Sequence, residues 1–273
     1  MHWGRHGGAG LLLFHTDPSG ATRILLQQRA WWGSGGGTWC MFGGGRHRGE
    51  DRIAAALRET AEECTLDLSE VHIVGTTTED HGGWDFTTVV AWAEEARPVG
   101  PASAETRAAA WVPVDQVTER RLFPPFAESW PLLRTAISRV ALVVDIANVM
   151  GSRPDGWWRD RAGAAVRLRD EIAPLAVRGV TGMPEGVFGF ERCFPELVLV
   201  VEGAARGVGE VEGVRVVNAP RSGDDAIVEL VSSGEAALRH VVVTADRELR
   251  SRCRAAGAAV AGPRWLLDQT APA

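Results

Sequence analysis

Residues 44–66 read GGRHRGEDRIAAALRETAEECTL. The spacing from Gly44 through Glu50 to the segment Arg58-Glu59-Thr60-Ala61-Glu62-Glu63 is G-x5-E-x7-R-E-T-x-E-E. The alanine-rich middle predicts a helix over residues 49–64. On a helix, positions i, i+3 and i+4 share one face, so Glu59, Glu62 and Glu63 fall within one turn. Like charges so placed cost a few tenths of a kcal/mol per pair, roughly. A hard divalent cation, Mg²⁺ or Mn²⁺, removes that cost because it prefers carboxylate oxygen. The glycines at 43, 44 and 45 let the backbone approach a ligand or turn sharply. A metal held over such a helix suits phosphoanhydride hydrolysis, since it neutralises phosphate oxygens and activates water. The plainer alternative is a solvated acidic helix face.

The segment resembles the Nudix box of the Nudix hydrolases, G-x5-E-x7-R-E-U-x-E-E-x-G-U with U apolar. Gly44, Glu50, Arg58, Glu59, Glu62, Glu63 and Leu66 match it, and Thr60 takes a U position. The resemblance implies an α/β/α sandwich with a mixed sheet. It also implies a pyrophosphohydrolase of nucleoside triphosphates or nucleoside diphosphate-linked compounds, using Mg²⁺ or Mn²⁺. Glu59, Glu62 and Glu63 are then metal ligands or base, Arg58 orients a glutamate, and Gly44 and Glu50 support the site. Thr65 stands where the box has its last glycine, and Phe42 where a proline usually precedes the glycines. Because that glycine closes the helix with φ > 0, the β-branched Thr65 is expected to disturb the helix end.

The chain of 273 residues has room for two domains. Its 45% apolar and 23% charged content describes a globular protein without a membrane-spanning run. The N-terminus MHWGRHGGAGLLLF carries no signal-peptide pattern, so a cytoplasmic, bacterial enzyme is expected. Cys40, Cys64, Cys193 and Cys253 form no zinc spacing and read as reduced thiols. Residues 1–138 hold 12 arginines against 17 acids and residues 139–273 hold 17 against 18, so neither half is a basic nucleic-acid platform.

Around the box, residues 11–15, 23–28, 38–42, 71–78, 87–93 and 110–114 read as strands, and 127–138 as a closing helix. Trp31, Trp32 and Trp84 are candidates for stacking on a nucleotide base, or packing residues of loops. Glu105 precedes Trp111-Val112-Pro113 and is a candidate for a further metal-binding or basic carboxylate, on the resemblance.

From residue 139 the pattern changes. Apolar runs at 140–144, 197–201, 214–217 and 241–244 argue for a parallel sheet covered on both faces. In such sheets the ligand site lies beyond the carboxyl ends of the strands. Acids recur there: Asp145, Glu202, Asp224 or Asp225, and Asp246. Crowded carboxylates repel, and one or two divalent metals would resolve this and support phosphodiester cleavage. Alternatively each acid caps the helix that follows.

This half resembles the NYN branch of the PIN-like nucleases, closest to the YacP-type subgroup, through VVDIANV, SGDDAIVELV and VVVTADREL. The resemblance implies RNA cleavage with Mg²⁺ or Mn²⁺ held by Asp145, Asp225 and Asp246, supported by Asn148 and Asp224. Arg153, Arg159 and Arg161 form either a substrate rim or structural ion pairs. Three readings stay open. The chain joins a Nudix hydrolase, residues 1–138, to an RNA-cleaving domain, residues 139–273; or it is a nucleotide-pool housecleaning hydrolase, of oxidised dNTP or ADP-ribose type, with an inactive C-terminal binding module; or the first half senses a nucleotide and regulates a nuclease.

Overall fold

The computed structural model describes residues 6–271, and the chain divides into two units, Met1–Ser138 and Arg139–Ala273. In the first, the strands are β1 (Gly8–Thr16), β2 (Thr22–Arg29), β3 (Trp39–Cys40), β4 (Phe42–Gly45), β5 (Val71–Asp80), β6 (Asp85–Ala93) and β7 (Thr106–Pro113). The helices are α1 (Arg52–Glu63) and α2 (Pro124–Leu133). The strands run β3-β2-β1-β6-β5, with β4 paired to β1 and β7 to β2. Strands β1 and β6 are parallel, and β1 is antiparallel to β2 and β4, so the sheet is mixed. The apolar run of β1 is central and buried almost throughout because it has neighbours on both edges. The turn into β2 is fastened by Asp17, whose Oδ1 accepts from Ser19 N at 2.9 Å and Ala21 N at 3.1 Å.

Helix α1 starts at Arg52, not at residue 49. Gly49 has φ +76°, and Asp51 is the cap, its Oδ1 accepting from Ile53 N and Ala54 N at 2.9 and 3.1 Å. Its fully buried Ala55 and Ala56 let the helix axis sit close to the sheet, against Leu11, Leu13 and Phe42. The end of the helix corrects one expectation. No residue near Thr65 has positive φ; among the described residues that are not glycine, only Ala237 does. Cys64 is extended, Thr65 N donates to Gly100 O at 3.0 Å, and Thr65 Oγ1 accepts from Gly100 N at 2.9 Å. Side-chain and backbone pairing to the 100–102 segment closes the helix where a glycine is expected. Phe42 is buried in the core.

The second unit has strands β8 (Arg139–Asp145), β9 (Arg192–Cys193), β10 (Glu196–Val201), β11 (Val214–Asn218), β12 (Leu238–Val243) and β13 (Ala259–Ala261). Its helices are α3 (Ile146–Gly151), α4 (Arg161–Ile172), α5 (Leu175–Arg178), α6 (Gly223–Ser232), α7 (Arg247–Ala255) and α8 (Pro263–Thr270). The five strands ordered β11-β10-β8-β12-β13 are all parallel. The chain leaves β8 on one side for β10 and β11, then returns on the other for β12. That reversal opens a crevice at the carboxyl end of β8. Val143, Val198, Val200, Ile227 and Leu249 form one buried cluster. No helix of the described residues is long and apolar enough to cross a membrane.

Candidate functional sites

Arg58 organises the first site. Its Nε and Nη2 donate to Glu50 Oε1 and Oε2 at 2.7 and 2.9 Å, a bidentate pair. Nη2 also donates to Gly45 O at 3.1 Å, and Nη1 to Glu59 Oε1 at 2.8 Å. The hydrogen bond from Arg58 and another from His47 N hold the Glu50 carboxyl down at about 2. The hydrogen bonds to Glu50 and Glu59 in turn raise the Arg58 pKa. Glu50 is therefore an anchor for Arg58, and Arg58 aims Glu59.

The three helix carboxylates sit in different surroundings. Glu59 and Glu63 are partly buried, whereas the Glu62 side chain is 59% exposed and meets Arg58 Nη1 at 3.4 Å. On a helix i+3 and i+4 lie on opposite sides of i, about 60° and 40° round, so Glu62 turns to solvent while Glu63 turns toward the sheet. Glu59 reaches over the strand: a Cβ at Gly44 would stand 2.3 Å from Glu59 Oε2. Glu63 Oε2 accepts from Gln27 Nε2 at 2.7 Å, and Gln27 Oε1 accepts from Thr106 Oγ1 at 2.9 Å. Burial, with the negative charges of Glu59 and Glu105 nearby, pushes Glu63 up to about 7, against the pull of Gln27. The exposed Glu105 thus belongs to the same electrostatic group. Gln27 is buried in β2 and was not singled out from the sequence; a pair of glutamines ending an apolar strand was the available signal.

Oxygen donors alone, held together at a cost in acidity, fit Mg²⁺ or Mn²⁺. Among the described residues no three His, Cys, Asp or Glu side chains already converge as a metal cage.

A cavity of about 540 Å³ lies beside these residues, between the sheet and α2. Met41 and Gly43 line it near the box, Phe86, Phe123 and Phe126 supply apolar walls, and Glu79, His81, Trp84 and Ser129 are among its other lining residues. Trp84 stacks on His81, with ring centroids 4.5 Å apart and 20° between planes. Trp31 and Trp32 are 62% and 70% exposed and do not line this cavity; Trp31 carries the Arg107 guanidinium 5.0 Å from its ring centroid.

In the second unit Asp145 is buried at the end of β8. Its Oδ1 accepts from Asn148 N at 3.1 Å and its Oδ2 from Thr244 Oγ1 at 2.9 Å. Asn148 Oδ1 accepts from Ala245 N at 2.7 Å, joining α3 to the loop after β12. Asp246 Oδ1 accepts from Leu249 N at 2.8 Å and caps α7. Glu202 Oε2 accepts from Gly223 N at 2.6 Å. Asp145 and Asp246 therefore do cap helices, while α6 is capped by Ser222 rather than Asp224.

Burial raises the Asp145 pKa, with Asp224 and Glu202 adding to it. Burial likewise raises Asp224, followed by Asp246 and Glu202. Asp225 departs from its expected place: it is exposed and ion-paired to Arg252 at 2.6 Å. Successive helix residues point about 100° apart, so only one of the pair can face Asp145, and it is Asp224. Arg153 is held by Glu171 at 2.5 Å, Arg161 lies over the Trp157 ring, and Arg159 is exposed in a short 3₁₀ turn.

Comparison with known proteins places the first unit. Residues 4–133 match the family model described as NUDIX domain. A Mycobacterium tuberculosis protein named "Putative 8-oxo-dGTP diphosphatase 3" is 42% identical over 149 residues, 52% of this chain and 67% of the relative. The "Nucleoside triphosphate pyrophosphatase/Nudix hydrolase fusion protein" of Bifidobacterium longum is 38% identical over 144 residues, and the match spans 51% of this chain but only 30% of that protein. The crystal structure of the Nudix hydrolase RenU from M. smegmatis is 40% identical, covering 49% of this chain and 86% of that chain, with a TM-score of 0.46. A structure of Rae1 (YacP) from Bacillus subtilis is 20% identical over 48% of this chain and 74% of that one, with a TM-score of 0.36. The box residues, the family-model match over residues 4–133 and the 42% identity to the M. tuberculosis relative together establish that the chain belongs, through its first unit, to the NUDIX family.

Proposed function

We propose that the first unit hydrolyses a phosphoanhydride bond of a nucleoside triphosphate, with oxidised purine nucleotides of the 8-oxo-dGTP kind as the leading substrate class. The observation that carries this is the Arg58 fork, which ties Glu50 and Glu59 together beside Gly44. The name of the M. tuberculosis relative supports the substrate class. Glu59 and Glu63 would hold Mg²⁺ or Mn²⁺, which supplies charge neutralisation of the phosphates and an acidified water. Burial holds the Glu63 carboxyl up at about 7, a cost that a bound cation would relieve, and Gln27 keeps it in place. Arg58 keeps Glu59 aimed.

For the second unit we propose metal-dependent cleavage of single-stranded RNA, in the manner of the PIN-like nucleases that it resembles. Support comes from Asp145 and Asp224, two carboxylates of raised pKa in one negative field at the sheet's carboxyl edge. Asp246 is the third candidate ligand, and Asp225 passes to an ion-pairing role. The acidic total charge of −6 favours the other reading, a binding module without nuclease activity.

One screen tests both. Wild type, Glu63→Gln and Asp145→Asn are assayed with Mg²⁺ and Mn²⁺ against dNTPs and their oxidised forms, ADP-ribose, NAD, dinucleoside polyphosphates and single-stranded RNA. The expected result is that E63Q alone abolishes nucleotide hydrolysis and D145N alone abolishes RNA cleavage. Nucleotide turnover that survives E63Q removes the first assignment. RNA left intact by wild type makes the second unit a binding module.

A further inference from the structure

The cavity between the sheet and α2 has aromatic walls and is lined by three charged side chains, Arg29, the exposed Glu128 and the partly buried Glu79 at the end of β5. Its Oε2 accepts from Ser129 Oγ of α2 at 3.1 Å and stands 3.7 Å from His81 Nε2. The carboxylate is thus held by a hydrogen bond from α2, with the His81 ring beside it. His81 is in turn stacked on Trp84. The cavity lining also includes Gly43, one residue from Gly44, against which the Glu59 carboxylate lies. A nucleotide whose phosphates meet Glu59 therefore has its base within reach of this cavity, whose volume suits a nucleoside.

An ionised carboxylate only accepts hydrogen bonds, so what it faces in an apolar pocket must donate. Among the common bases, guanine alone carries two adjacent donors on its Watson–Crick edge, N1–H and the N2 amino group. Adenine and cytosine set a ring-nitrogen acceptor beside their amino group, and thymine has a single N–H between two carbonyls. An acceptor turned to a carboxylate is repelled. An 8-oxoguanine keeps the same two donors.

We propose that Glu79 is the base-reading residue of this site and selects guanine-type nucleotides by accepting from N1–H and N2–H. The proposal rests on the reading of the first unit as a nucleoside triphosphate hydrolase. Glu79→Gln is the decisive variant, because it keeps the shape and replaces one acceptor by a donor. A glutamine amide complements the adenine edge, donating to N1 and accepting from the N6 amino group.

The experiment compares kcat/KM for dGTP, 8-oxo-dGTP and dATP in wild type and E79Q, with melting curves confirming that the variant is folded. The expected result is a fall of about tenfold or more for both guanine-type substrates, with dATP unchanged or improved. Equal changes for all three, or none, overturn the proposal while leaving the hydrolase reading intact. If wild type turns over none of them, the hydrolase reading fails. Glu79 is then judged by equilibrium binding of dGMP and dAMP, where an unchanged preference in E79Q overturns it and a lost guanine preference upholds it.

Discussion

Gly44 leaves no space for a side chain, because a Cβ there would meet Glu59 Oε2 at 2.3 Å and Glu59 Oε1 at 2.9 Å. What it would displace is the far end of a flexible side chain, not backbone. Gly44→Ala should therefore leave the melting temperature almost unchanged and lower kcat/KM on the order of 100-fold, as a misplaced catalytic group does. A matched loss of stability and activity would show instead that Gly44 serves only packing. The residue scale is also where the sequence was least complete. The box spacing names the carboxylates, but not that Glu63 leans on Gln27, a residue 36 positions earlier. Neither did spacing choose between Asp224 and Asp225. Both are acidic and adjacent, and only the position of α7, which brings Arg252 to Asp225, turns one away.

Helix α1 shows what local chemistry can and cannot announce. Its start was readable within a few residues, since Asp51 precedes the alanine run and an aspartate accepts from the first free N–H groups. Asp51→Ala is expected to cost about 1 kcal/mol and lower the melting temperature by roughly 2–8 °C. Its kcat/KM should hold, because Asp51 touches none of the box carboxylates; calorimetry beside a nucleotide assay separates the two effects. The helix end was misread because Thr65 finds its partner 35 residues away, at Gly100. Strand β13 was not read at all. Ala259-Val260-Ala261 is too short and too small-sided to show a period, and it is a strand only because β12 offers it an edge.

At the scale of the whole molecule, two sheets of different kinds follow from two hydrophobic patterns. The continuous runs of the second half match an all-parallel sheet covered on both faces, while the first half builds a mixed sheet around one buried strand. One stability consequence is set by His240, buried near the start of β12 with Glu196 and Arg215 in its field. Burial lowers its pKa from the usual 6.5. Below about 6.5 the unfolded chain binds a proton that the folded His240 resists, so this contribution is present above that pH and is lost as pH falls. His240→Asn should flatten the dependence of the melting temperature on pH between about 5 and 7. Parallel curves for variant and wild type would contradict the assignment. The periodicities and the box spacing sufficed for the NUDIX relationship, the parallel character of the second sheet and the acidic strand ends, because these are patterns of near neighbours along the chain. The different surroundings of Glu62 and of Glu59 and Glu63, the hydrogen bond from Gln27, the placing of Asp224 in the field of Asp145 while Asp225 pairs with Arg252, and the cavity beside Glu79 were decided by tertiary structure, because each depends on which distant element fills the space beside a side chain.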